Sequence, residues 1–136
     1  MNAYPAIDGD LIVWESAQHT TPTEYHLDIY GYDMMTGETT ALMLDPDHQY
    51  LGDIQGEWVY VFDGNTRDIV VQNFYTGERH QLYHFENDHT FELPVAYKNT
   101  AVWKDNTAYS IQDIEIYVAR QLTESVFLPI VVSTQE

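Results

Sequence analysis

The chain is short, acidic and rich in aromatic residues. Its 136 residues fit one domain that is large enough to bury a core. Five Lys and Arg residues against twenty-two Asp and Glu residues give a formal net charge of −17, which repels phosphate backbones, so we expect no nucleic-acid partner. The absence of cysteine excludes disulfides and thiolate metal sites. Eleven Tyr, five Phe and three Trp favour strands over helices, and we predict an all-β protein.

The first predicted unit covers about residues 4–45 and contains four strands. Gly9 is expected to supply the positive φ of a tight hairpin between the first two strands. The apolar run 11–14 predicts a strand buried on both faces. Residues 15–27 contain Thr and Pro without periodicity and predict a long loop. The predicted strands are residues 4–7, 11–14, 28–34 and 38–44.

The second predicted unit, about residues 46–87, repeats the first. The Asp-Ile and Thr-Gly-Glu motifs that begin at Asp28 and Thr36 return at Asp68 and Thr76, forty residues later in both cases. We expect the glycine of each Thr-Gly-Glu motif to adopt a positive φ in equivalent turns. A repeat of about 40 to 45 residues is typical of a four-stranded propeller blade. The predicted strands are residues 49–54, 58–62, 68–74 and 78–85.

The third predicted unit, about residues 88–125, diverges from the other two. Lys98 and Asn99 replace the glycine turn, and Asn99 is expected to take the left-handed conformation. The apolar run 126–132 predicts a C-terminal edge strand that pairs with the first unit or with another copy, and Pro129 restricts it to an edge. The predicted strands of the unit are residues 91–96, 100–103 and 111–118. We therefore predict one β domain, residues 1–136, built from tandem antiparallel four-stranded units.

Two groups of residues offer metal-ligand chemistry, the first suited to zinc and the second to calcium. The candidate ligands are His84, Glu86, Asp88 and His89 in the first group and Asp63, Asn65 and Asp68 in the second. His80 and His84 would share one strand face and lie about 13 Å apart along it, too far to share a metal unaided. Asp and Asn at hairpin turns are explained without an ion. We expect no cofactor, with calcium as the alternative.

Aromatic and histidine side chains are the candidate ligand-binding residues. They are Trp14, Trp58, Trp103, His19 and His26. Tryptophan can stack on a sugar ring, but Trp14 and Trp103 hold the same place in their units, which favours packing between units. The chain contains no nucleophile elbow, zinc-protease motif or phosphate-binding loop, and we assign no catalytic residue.

Two motifs resemble the repeats of TolB-like β-propellers from bacterial cell-envelope and secreted proteins. They are residues 5–14, Pro-Ala-Ile-Asp-Gly-Asp-Leu-Ile-Val-Trp, and residues 28–38, Asp-Ile-Tyr-Gly-Tyr-Asp-Met-Met-Thr-Gly-Glu. The resemblance implies blade-like sheets in proteins that act as docking platforms or as enzyme domains. A closed propeller needs roughly four to eight blades. About three units leave three alternatives: a fragment, a ring completed by other copies, or an unclosed stack of sheets.

We expect a non-catalytic binding or scaffolding module that contacts a protein or glycan partner, mainly through the loop at residues 15–27. The alternatives are a domain of a secreted carbohydrate- or peptide-active enzyme, and a structural repeat without a ligand. Residues 1–5 carry no signal-peptide pattern, and no apolar run predicts membrane insertion. Localisation in the cell envelope or outside the cell is expected if the chain belongs to a longer exported protein.

Overall fold

The computed structural model describes residues 2–90, 92–107, 114–123 and 126–133. These residues form thirteen β-strands and no helix, which confirms the all-β prediction. The strands are β1 (Asn2–Asp8), β2 (Leu11–His19), β3 (Tyr25–Asp33), β4 (Glu38–Met43), β5 (Gln49–Gln55), β6 (Trp58–Asp63), β7 (Asp68–Asn73), β8 (Arg79–His84), β9 (His89–Thr90), β10 (Val95–Tyr97), β11 (Thr100–Thr107), β12 (Ile114–Thr123) and β13 (Val126–Ser133). They build three antiparallel sheets: sheet 1 from β1 to β4, sheet 2 from β5 to β8, and sheet 3 from β9 to β13.

Sheets 1 and 2 share one plan, in which consecutive strands are neighbours. Gly9 and Gly56 turn the first hairpin of each sheet with φ of 57° and 60°. Gly37 and Gly77 turn the last hairpin, and both have φ of 74°, as the Thr-Gly-Glu motifs predict. Glycine reaches this left-handed region without the steric penalty that a Cβ brings. Both hairpins are therefore specified by local sequence.

Sheet 3 has the strand order β10-β11-β12-β13, and β9 also pairs with β11. The predicted edge strand is present as β13, but the predicted partner was wrong, because β13 pairs with β12 of its own sheet. β12 ends at Thr123 and β13 begins at Val126, so the chain folds back at once rather than reaching another sheet. Pro129 lies opposite Ala119 in this edge strand, and edge strands are where sheets accommodate proline. The turn before β11 uses Lys98, with φ of 51°, and not Asn99 as predicted.

The three sheets are stacked face to face with sheet 2 in the middle. The core between sheets 1 and 2 contains Leu11, Val13, Ile29, Met43, Leu51, Ile54, Val59, Val61, Val70 and Phe74. The core between sheets 2 and 3 contains Trp58, Tyr60, Phe62, Ile69, Val71, Leu82, Phe85, Ala101, Trp103 and Ala119. All six residues of β6 are buried, because both faces of sheet 2 are covered. Sheets 1 and 3 each have one face covered by sheet 2.

The strands β1, β5 and β10 lie side by side along one edge of the stack. Asp8 Oδ2 accepts a hydrogen bond of 2.6 Å from the Gly56 N–H, which joins sheet 1 to sheet 2. Asp53 Oδ2 accepts one of 2.8 Å from the Ala96 N–H, which joins sheet 2 to sheet 3. Carboxylates bound to backbone N–H groups make strong hydrogen bonds. These hydrogen bonds thus hold β1, β5 and β10 together on one side of the stack.

The long loop predicted at residues 15–27 is mostly strand. β2 continues to His19 and β3 begins at Tyr25, so the connecting loop is limited to residues 20–24. The pairing between the two strands is unbroken from Leu11 to His19. Polar residues in this hairpin hid the strand periodicity on which the prediction depended. The insertion that was expected to contact a partner is therefore a short hairpin tip.

Burial of the predicted core residues follows strand alternation. Leu11 and Val13 are buried against sheet 2, whereas Ile12 and Trp14 are only half-buried, so the prediction of burial on both faces was wrong for this run. Side chains in a strand alternate between faces, and only one face of sheet 1 is covered. None of the described residues form a helix that could span a membrane.

Candidate binding surface

The face of sheet 1 that points away from sheet 2 is apolar and aromatic. Ile7, Ile12 and Tyr32 lie in register across β1, β2 and β3, and Trp14 lies opposite Tyr30 in the next row. These five residues define the open face. Ile7 is 61% exposed, and the other four are half-buried. Among the described strands, no sheet packs against this face.

The open face contains an aromatic pair that recurs in sheet 3. The rings of Trp14 and Tyr30 are stacked, with centroids 6.3 Å apart and an interplanar angle of 22°. Trp103 and Tyr117 lie opposite each other in β11 and β12, with centroids 6.2 Å apart and an angle of 7°. In sheet 3 this pair is covered by sheet 2, because both rings contact Tyr83, at 5.7 and 4.3 Å. The same pair is covered in one sheet and open in the other.

The three tryptophans do not converge on one site. Trp103 is 3% exposed and Trp58 is 6% exposed, and both belong to the core between sheets 2 and 3. Trp58 contacts Phe127 of β13 at 5.0 Å and His80 at 5.8 Å. Trp14 alone faces away from the stack. A ligand that stacks on a tryptophan of this chain therefore meets Trp14 on the open face of sheet 1.

His19 and His26 lie near the tip of the β2–β3 hairpin, on opposite faces of sheet 1. The His19 ring is 5.8 Å from Tyr25, which in turn contacts His48 at 5.6 Å. His26 Nε2 is 3.5 Å from Asp28 Oδ1. Among the described ring contacts, neither histidine packs against Trp14. The candidate ligand-binding residues therefore lie at separate positions.

Asp28 is a buried carboxylate that was not among the candidate site residues predicted from the sequence. Its Oδ1 atom accepts no hydrogen bond among the described residues, and the His26 contact is at the outer limit for one. Burial raises the pKa of Asp28, while the nearby His26 lowers it and Asp45 raises it further. By strand alternation Asp28 points to the same side of β3 as Tyr30. A polar group thus borders the aromatic rows.

A second polar cluster joins sheets 2 and 3 and was also missed. Asp105 accepts a hydrogen bond from Tyr83 Oη and lies 2.8 Å from His89 Nδ1. The hydrogen bond to Asp105 is the main cause that raises the pKa of His89. The pKa of Tyr83 is also raised, mainly by burial and next by its hydrogen bond to Asp105. Arg67 braces the chain beside the cluster by donating to the carbonyl of His89 at 2.7 Å. Strand alternation in β11 places Asp105 on the same face as Trp103, towards sheet 2. This alternation is the sequence signal that could have identified Asp105 as a buried residue.

The chemistry of this cluster is that of an ion pair within sheet 3, which Tyr83 of sheet 2 joins through Asp105. The two ring nitrogens of His89 face carboxylates, Asp105 at 2.8 Å and Asp88 at 3.7 Å. A histidine that activates a nucleophile faces a carboxylate on one nitrogen and a hydroxyl or thiol on the other. The arrangement around His89 therefore favours a structural role.

The candidate metal ligands bond to one another or to backbone. His84 Nδ1 is 2.7 Å from Asp68 Oδ1, and Asp63 Oδ1 accepts a hydrogen bond of 2.9 Å from the Asn65 N–H. No group of three or more His, Asp or Glu side chains among the described residues has the geometry to hold a metal ion. Strand and turn contacts thus engage the side chains of His84, Asp68 and Asp63.

Sheet 3 also presents an open surface, on the side away from sheet 2. A shallow cavity of about 470 Å³ lies there between β10 and β11. Its lining is Val95, Ala96, Tyr97, Lys98, Thr100 and Val102. This surface and the open face of sheet 1 are the two ends of the stack.

No protein-family model matches this chain, and no curated protein matches it either. The two exposed ends of the stack and the buried polar contacts between its sheets are therefore the features from which a function can be argued.

Proposed function

We propose that this chain is a non-catalytic binding or scaffolding module whose three sheets are blades of the TolB-like β-propeller type. The observation that carries the proposal is the open face of sheet 1, with Trp14 and Tyr30 at its centre. Contiguous exposed apolar patches mark interaction sites in soluble proteins. Tryptophan and tyrosine are also the residues most enriched at the energetic centre of protein interfaces.

The polar groups support a structural assignment. Asp8, Asp53 and Asp105 all join one sheet to the next through hydrogen bonds, in the case of Asp105 from Tyr83. Their carboxylates are thereby engaged within the chain. A protein partner suits the open face because apolar and aromatic side chains, Ile7, Ile12, Tyr30 and Tyr32, surround Trp14 on most sides, and the row of Ser16 and Asp28 adds polar groups at one border.

The TolB-like resemblance is the basis for placing the module in the cell envelope or outside the cell, and the charge of −17 suits that setting as it suits a high-salt one. A strongly acidic surface keeps a β-rich module soluble and limits pairing between strand edges. The same charge makes an anionic partner unfavourable. The partner surface is therefore expected to be apolar with basic or neutral flanks.

The binding role is tested with Nile red, an uncharged dye that fluoresces on apolar surface. Dilute wild-type chain should increase its fluorescence, and Trp14→Glu should remove most of that increase. Met35→Glu is the control, since Met35 is exposed in the turn before Gly37 and away from the open face. Equal dye binding by the wild type and Trp14→Glu contradicts the proposal.

The enzyme alternative is tested with chromogenic glycosides and peptide nitroanilides. We expect no turnover above a denatured control. Turnover that Asp105→Asn and His89→Gln both abolish, without loss of folding by circular dichroism, would overturn the non-catalytic assignment.

A further inference from the structure

Both ends of the sheet stack are uncovered, and they differ in character. The first end is the open face of sheet 1. The second is the side of sheet 3 that points away from sheet 2, where Val95, Val102 and Val118 lie in one row across β10, β11 and β12. Val95 is 63% exposed. We refer to this row and its neighbours Lys104 and Arg120 as the outer face.

The structure already shows how a Trp–Tyr face packs on a sheet. Trp103 and Tyr117 rest on the face of sheet 2 that points forward along the stack, where Tyr83 meets both rings. Trp14 occupies the equivalent place in sheet 1, because each tryptophan is the fourth residue of its strand, β2 or β11. What the open face lacks is a sheet that precedes sheet 1 in the stack. The only forward-pointing sheet face left uncovered among the described residues is the outer face of sheet 3.

We propose that the open face of sheet 1 packs on the outer face of sheet 3 from a second copy of this chain. The proposal rests on the proposed function, because it names the partner of the same surface. Burial of apolar rows against each other already joins sheets 1 and 2, where Val59 and Val61 share a core with Leu11 and Val13, and a valine row against the open face would bury apolar area in the same way. The stack then continues from one chain into the next with the same direction.

Charge favours this pairing over the pairing of like faces. Residues 2–43, which form sheet 1, contain no Lys or Arg and carry several carboxylates. Lys98, Lys104 and Arg120 of sheet 3 are three of the five cationic residues in the chain. By strand alternation Lys104 and Arg120 point to the same side as Val102 and Val118. Lys104 is already paired with Glu92 at 3.1 Å, so the attraction between sheet 1 and the outer face comes mainly from Arg120, whereas two sheet 1 faces would repel each other.

Two copies are the smallest assembly that covers every face. The contact joins unlike surfaces, so it forms either a closed ring or an open filament. Two chains with three sheets each make six blades, inside the range of roughly four to eight in which propellers close. A closed pair leaves no open end for a third chain. We therefore expect a dimer.

The test measures mass by light scattering from about 1 to about 100 µM, the range in which micromolar association becomes visible. Wild-type chain should reach twice the 15.8 kDa of one copy. Trp14→Glu and Val102→Glu, which alter one face each, should both stay at the single mass. Met35→Glu, away from both faces, should behave as the wild type.

Mixing the two variants separates specific docking from misfolding. Trp14→Glu retains a native outer face and Val102→Glu retains a native open face, so the mixture should form a two-chain complex through one native contact. Circular dichroism of each variant alone should match the wild type. A mixture that stays at the single mass overturns the head-to-tail arrangement, as does a dimer that Val102→Glu leaves intact.

The outcome also distinguishes this inference from the function on which it rests. A wild type that stays at the single mass throughout, while Nile red binding still depends on Trp14, overturns the second copy as occupant and leaves the binding role standing. In that case another partner, such as a further sheet of a longer chain, covers the face. A single mass together with dye binding that is independent of Trp14 overturns both.

Discussion

The side chain of Glu15 in β2 accepts a hydrogen bond of 2.8 Å from the backbone N–H of Leu51 in β5. Both residues are buried, and Glu15 is only 2% exposed. Burial raises the pKa of Glu15, and the hydrogen bond from Leu51 partly opposes that rise. A buried carboxylate thus links β2 of sheet 1 to β5 of sheet 2.

Replacing Glu15 tests this tie. Glu15→Ala leaves the Leu51 N–H buried and unpaired, which should lower the free energy of unfolding by about 1 to 3 kcal/mol. Glu15→Gln retains an acceptor oxygen and should lower it less. Urea denaturation at neutral pH measures both. Equal losses for the two variants would show that the hydrogen bond to Leu51 contributes nothing.

Close packing at Gly31 predicts a steric effect of a single methyl group. A Cβ built at Gly31 lies 2.3 Å from Phe74 Cε2, a distance that no relaxed structure permits. Gly31→Ala should therefore lower the free energy of unfolding by about 1 to 3 kcal/mol. The matched test is the same change in a Phe74→Ala background, where the penalty should be smaller. An equal penalty in both backgrounds, measured by chemical denaturation, would point to backbone strain instead of the ring.

The His89 and Asp105 pair predicts a defined pH dependence. The folded pKa of His89 lies above its ordinary value of 6.5, mainly through the hydrogen bond to Asp105, with smaller contributions from Asp88 and Glu86. A raised folded pKa means that the folded state binds the proton more tightly. The stabilisation is fully present below the unfolded pKa of His89 and is lost as pH rises through the folded pKa.

The measurement is the difference in unfolding free energy between wild type and His89→Gln from about pH 5 to about pH 9, the interval in which histidine titrates. The difference should be largest at the acid end and decline towards the alkaline end. Asp105→Asn should remove the same pH dependence, and adding His89→Gln to it should change the profile little. A difference that grows with pH contradicts the assignment of His89 as the titrating partner.

Phe127 predicts how β13 stabilises the fold. Its ring packs on Trp58 at 5.0 Å and on His80 at 5.4 Å, although β13 is an edge strand. Phe127→Ala should lower the free energy of unfolding by about 2 to 4 kcal/mol and shift tryptophan emission to the red as Trp58 meets water. Leu128→Ala is the matched control on dilute chain, because Leu128 is the next residue and is exposed. Equal effects of the two changes would mean that β13 contributes through its backbone alone.

The turns and the strand class of this protein follow from local sequence. Gly37 and Gly77 share the same positive φ because both end a Thr-Gly-Glu turn, and no distant contact is needed to require it. The edge position of β13 likewise follows from Pro129. The aromatic and β-branched composition accounts for the absence of helix among the described residues.

Which side of a strand becomes core was decided by the tertiary structure. Leu11 and Trp14 belong to one apolar run, yet Leu11 is buried and Trp14 faces outwards, because sheet 2 covers one side of sheet 1. The continuation of β2 through Glu15 was not predicted, because its burial also depends on a distant partner. A polar residue is unfavourable in a core until a partner such as the Leu51 N–H, thirty-six residues away, is brought to it.

Local sequence therefore determined the glycine turns of sheets 1 and 2 and the formation of strands, since φ preferences and side-chain alternation act over a few residues. Only the stacking of the sheets decided which aromatic residues are core and which form a surface. Trp103 and Trp14 occupy equivalent positions, and the difference between them is that sheet 2 lies against one and no described sheet lies against the other. Burial is a property of a residue and its neighbours in space, and those neighbours are distant in sequence.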